Sequence, residues 1–211
     1  MTEIELNSKL VRPEIIAETA LEDEQLLQAL LNGISPESKK APLRENCSQA
    51  LMHMAENWPE VLLPHWGYFV GLLKSDNGFS KYAALYIITS LIKADETGLF
   101  EKAFNVYYGL LDDESVMVAS HAAGASGRIA KAKPALQSKI TKRLLEVDKT
   151  HFDANRQGLI KGYVIEALDE YFEVSKDKAK ILAFVKQQMD CHSPKTRKLA
   201  KAFLQKWAES N

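Results

Sequence analysis

Apolar residues in this chain of 211 residues recur at steps of three and four, in blocks separated by short polar segments, which is the signature of amphipathic helices. Leucine pairs close several of these blocks, at Leu30-Leu31, Leu72-Leu73, Leu110-Leu111 and Leu144-Leu145, with spacings of 42, 38 and 34 residues. Each pair is followed by a turn-rich stretch ("NGISPESKKAP", "KSDNG", "DDES", "EVDKTH") and then by a second amphipathic block. A fifth unit replaces the pair with "QQMD" and continues as "SPKTRKLAKAFLQKW". A repeat of this length, with two helical blocks per period, predicts stacked helical hairpins, because one hairpin cannot bury its apolar stripe alone.

The blocks ending in leucine pairs, such as "EVLLPHWGYFVGLLK", "GLFEKAFNVYYGLLD" and "PALQSKITKRLLEV", read as first helices. Second helices are expected near residues 43–56, 79–93, 115–131, 152–172 and 194–208. Their stripes are Val118, Ala122, Ala125 and Ile129 in the third, and Leu199, Phe203 and Trp207 in the fifth. In the fourth, Phe152, Leu159, Ile160, Tyr163, Ala167 and Leu168 are expected to face the core. Ser193-Pro194 supplies a capping hydroxyl before a proline at the first helical position. "YAALYIITSLI" is β-branched enough to imitate a strand, but its place after a leucine pair and a turn makes it a buried helix, and no sheet is expected.

The stretch "LLDDESVMVASHAAGASGRIA" resembles the HEAT repeat: a leucine pair, an acidic turn, Val118, the alanines Ala122 and Ala123, then Gly127. "NRQGLIKGYV" and "TRKLAKAFL" carry the family's arginine as Arg156 and Arg197, whereas the third unit has Ala119 at that place. The resemblance implies an all-α fold, a right-handed α-solenoid of about five antiparallel helical hairpins of HEAT/armadillo type. It covers residues 20–208 of a single domain 1–211, with 1–19 as an N-terminal extension.

Composition changes this picture little. Hydrophobic residues make up 46% and charged residues 26%, ordinary for a water-soluble domain. No apolar run approaches a membrane span. The opening "MTEIELNSKL" is not a secretory signal, so a cytoplasmic location is expected. Cys47 and Cys191 stand far apart and read as free thiols. Charge is more informative: residues 1–105 hold nine Lys and Arg against fifteen Asp and Glu, net −6, and residues 106–211 hold eighteen against thirteen, net +5. The stretch "RIAKAKPALQSKITKR" has six basic residues and no acid.

Catalytic signatures are lacking. Gly124 and Gly127 sit inside a helix rather than in a phosphate-binding loop. The five histidines are scattered, with no zinc spacing. Asp112-Asp113 lies in an inter-helix turn, where carboxylates cap helices. No cofactor and no catalytic residue is expected. In HEAT-like arrays second helices line the concave face, so the resemblance implies that His121, Arg128, Lys161, Arg197, Lys198 and Lys201 share one groove. The expected function is a non-enzymatic scaffold that binds a protein partner there, preferably an acidic segment, with no membrane association. The alternative is a HEAT-like nucleic-acid-binding protein or a DNA glycosylase acting on alkylated bases. Those glycosylases carry a tryptophan-rich segment with a nearby aspartate, whereas Trp58 and Trp66 have no Asp nearer than Asp76.

Overall fold

The structure is a computed structural model that describes Leu6 and residues 12–208. Among the described residues every regular element is a helix. The chain divides into two compact units, Met1–Tyr107 and Tyr108–Asn211. The boundary falls where the acidic part of the sequence gives way to the basic part, so the first unit carries the −6 and the second the +5.

In the first unit, α1 (Pro13–Ala20) buries Ile16, Ala17 and Ala20 and packs on α2 (Glu24–Gly33) and α3 (Ala41–Asn57). Asp23 caps α2 by accepting from the Leu26 amide at 3.0 Å. The second hairpin joins α4 (Pro59–Leu62), a 3-10 turn over Leu63–His65 and α5 (Trp66–Leu72) to α6 (Gly78–Leu91). The stretch "EVLLPHWGYFVGLLK" is thus not one helix: Pro64, lacking an amide hydrogen, breaks it. Asn77 caps α6, and the strand-like "YAALYIITSLI" is helical, with a 3-10 turn from Ile92. The unit closes with α7 (Leu99–Gly109).

The second unit contains α8 (Val116–Ala132), α9 (Gln137–Leu145), α10 (Ala154–Asp169), α11 (Lys178–Gln187) and α12 (Pro194–Ala208). The second helices of the repeats, α8, α10 and α12, lie side by side with α10 in the middle, and they pack far more intimately than the first helices α9 and α11. Small residues allow this. Ala122, Ala123 and Ala125 are buried. A Cβ on Gly127 would lie 2.7 Å from the Glu170 carboxyl carbon and 2.8 Å from the Ala167 carbonyl oxygen. On the other flank of α10, a Cβ on Gly162 would lie 2.9 Å from the Thr196 hydroxyl oxygen, and that hydroxyl donates to the Gly158 carbonyl at 2.6 Å.

These glycines correct one part of the expected core. Phe152, Ile160, Ala167 and Leu168 are buried, but Leu159 is 48% exposed and Tyr163 is half-exposed. The flank of α10 against α12 is set by Gly158 and Gly162, so Leu159 and Tyr163 turn toward solvent.

The second-helix face of residues 108–211

The solvent side of α8 is the line Met117, His121, Gly124, Arg128 and Lys131, at steps of four, three, four and three. That of α10 is Arg156, Leu159, Tyr163, Glu166 and Glu170, at the same helical period. The two lines meet in register. The His121 and Tyr163 rings are 5.9 Å apart, Gly124 lies under Tyr163, and Lys131 approaches Glu170 at 3.9 Å. From α12, Lys195 pairs with Glu166 at 3.3 Å and lies over the Tyr163 ring at 4.5 Å. Further along, Asp169 accepts from Lys206 at 2.7 Å and from the Trp207 indole at 2.6 Å. A shallow cleft of about 120 Å³ opens between these helices, bordered by Ile165, Glu166, Leu199 and Lys206.

The face is therefore an acidic row on α10 between basic residues of α8 and α12. Each exposed pair contributes under about 1 kcal/mol, so the pairs order side chains more than they stabilise the unit. Met117, 48% exposed, and Leu159 stand toward the N-terminal ends of their helices, and the acids Glu166, Asp169 and Glu170 stand at the C-terminal end of α10.

The six residues expected to share a groove separate into groups. His121 and Arg128 lie on the solvent line of α8, and Lys198 is exposed on α12. His121 is held below its ordinary 6.5 by burial, which disfavours its positive form. Lys161 leaves the face: its side chain is 16% exposed and pairs with Asp148 at 2.5 Å, in the turn before α10. Arg197 folds back to donate to the carbonyls of Cys191 and His192 at 2.6 and 3.0 Å. Arg197 and Lys201, four residues apart, share the flank of α12 turned away from Lys195 and Lys206. The acidic row and its partners Lys131, Lys195 and Lys206 were not among the expected residues. Their sequence signal was the pair Asp169-Glu170, one period before Lys206-Trp207.

Other candidate chemistry is structural. Asp112 accepts from the amide and the ring of His151, both at 2.7 Å, which ties successive inter-helix turns together. Burial pushes the Cys47 thiol up to about 12, away from the thiolate a nucleophile needs. Trp66 is buried and Trp58 sits edge-on to His53 at 5.7 Å. Among the described residues no three His, Cys, Asp or Glu side chains converge to hold a metal, and no helix is long and apolar enough to cross a membrane.

No family model and no curated protein matches the sequence. Solved structures do match in fold. An engineered protein determined by crystallography aligns over 99% of this chain and 88% of its own, with a TM-score of 0.54 and 15% identity. A designed armadillo repeat protein aligns over 96% of this chain and 97% of its own, with a TM-score of 0.53 and 16% identity. The fold is an all-α helical-repeat solenoid of armadillo type.

Proposed function

We propose that this armadillo-like repeat chain is a non-enzymatic interaction scaffold, and that an extended segment of a protein partner lies across α8, α10 and α12. Repeat folds of this kind offer broad surfaces for partners rather than enclosed reaction chambers. The observation that carries the reading is the pairing of exposed apolar side chains, Met117 and Leu159, with a ladder of alternating charge on the same face. Large apolar side chains rimmed by polar ones are a mark of interaction sites. Because the basic groups are largely matched by Glu166, Asp169 and Glu170, the face suits a segment with an apolar anchor and charges of both signs better than a pure polyanion. The same acidic row speaks against nucleic acid, whose phosphates would lie against carboxylates.

The test is affinity capture from source cells with the full chain, with and without nuclease, beside the double variant Met117→Glu and Leu159→Glu. The expected result is a stoichiometric protein that survives nuclease and is lost from the double variant, whose helicity and unfolding are unchanged. Nuclease-sensitive recovery, or a partner retained by the double variant, would overturn the reading.

A further inference from the structure

The most basic stretch of the sequence, residues 128–143, lies mostly off the second-helix face. Its latter part forms α9 and the turn before it, and α9 is a first helix. Between α9 and α11 the packing is loose, and a furrow follows the seam. One end is a wide recess of about 700 Å³ lined by Lys131, Pro134, Ala135, Gln137, Val174 and Lys176. A second recess of about 370 Å³ continues along α9 past Ser138, Thr141 and Lys142 and faces Asp177 and Lys180 of the α11 side. Val174, at the wide end, is 68% exposed, more than any other large apolar side chain described.

The charge of this furrow is not balanced. Its two carboxylates already have partners: Asp177 is paired with Lys180 at 2.7 Å, and Glu146 with Lys149 at 2.9 Å. Lys180 and Ser138 hold the Asp177 carboxyl below its ordinary range, so it stays ionised beside Lys180. Lys142 and Lys176 are exposed, and neither is held in an ion pair among the described residues. The furrow thus presents surplus positive charge beside an uncovered small apolar patch. We propose that it is a second docking surface, which adjoins the second-helix face at Lys131, and that its occupant is an extended acidic protein segment with a small aliphatic side chain seated on Val174, Pro134 and Ala135.

Dimensions and chemistry favour that occupant. Residues 134–146 cover about 18 Å of helix, which matches roughly five residues of extended chain. Carboxylates of alternate residues would reach Lys142 and Lys176, while the aliphatic group removes Val174 from water. A nucleic acid would find no exposed aromatic ring in the furrow on which to stack its bases, a contact that single strands rely on.

The test is fluorescence anisotropy of the full chain with a fluorescein-labelled Glu-Glu-Val-Glu-Glu-Val peptide at low salt. Saturable binding is expected. Replacing Lys142→Glu and Lys176→Glu together should weaken it by about tenfold, since attraction becomes repulsion at two points. Replacing Val174→Asp should weaken it as well. The control Lys198→Glu, on α12 and lining neither recess, should leave it within about twofold, since one charge away from the furrow changes the overall attraction little. Circular dichroism would establish that each variant is folded. Oligothymidylate or phosphatidylserine vesicles binding where the peptide does not, or a Lys142/Lys176 reversal that binds as the parent does, would overturn the proposal. Failure here leaves the second-helix reading intact, because that reading is tested through Met117 and Leu159.

Discussion

His121 illustrates how a single side chain changes the character of a surface. By its place on a second helix it counts toward a groove with Arg128, Lys161 and Lys198. In the fold it lies beside Tyr163, where burial disfavours its charged form. With the folded value depressed below 6.5, the unfolded chain binds a proton more readily, so this contribution to stability is present above about pH 6.5 and is lost as pH falls through the folded value. Chemical denaturation of the parent between pH 7.5 and 5 should show that loss, and His121→Gln should reduce its slope. An unchanged slope would show that other groups govern the acid side. Glu170 works in the opposite direction: burial raises its carboxyl despite Lys131 and Arg128, so part of the acid-side slope is offset near its titration.

At the scale of the helix, capping was readable from residue type, and packing was readable wherever apolar side chains did the packing. Ser193 and the leucine pairs marked helix ends, and the expected second helices agree with the observed ones to within a few residues. The α8 stripe of Val118, Ala122, Ala125 and Ile129 is buried as its period indicated. The α10 stripe was misassigned because its contact with α12 is made by Gly158 and Gly162, and glycine gives no hydrophobic signal. That misassignment put Tyr163 in the core and Lys161 on the open face. Helix α1 was missed because its short segment has neither a leucine pair nor a following turn of the repeat kind. Asp95 shows a stronger local constraint than any single cap. Its carboxylate accepts from the amides of Thr97, Leu99 and Phe100 at 3.2, 2.9 and 2.9 Å, anchoring the start of α7 while almost fully buried. Asp95→Ala should cost on the order of 2 kcal/mol, because several amides near a helix start lose their acceptor at once. Urea denaturation would measure it, and a change below about 0.5 kcal/mol would mean that water replaces the carboxylate freely.

For the molecule as a whole, the repeat architecture was legible because every unit restates the same requirement, an apolar stripe that must be covered by its neighbour. The binding surface was legible only in part. Composition identified the second unit as basic, but the distribution of that charge depends on which flank of each helix is covered. The acids of α10 neutralise much of the second-helix face, whereas Lys142 on α9 and Lys176 in the turn before α11 stand outside ion pairs among the described residues. Two faces of one unit thus differ in chemistry although both derive from the same basic half of the chain. Whether a protein partner lies on the second-helix face can be measured by site-specific photocrosslinking in source cells. A benzoylphenylalanine would replace Leu159 on α10 in one version and Lys186, exposed on α11, in another. A discrete protein adduct is expected from position 159, resistant to nuclease, with no matching adduct of the same mass from position 186. The same adduct from both positions, or none from position 159 while the partner still co-purifies, would contradict it.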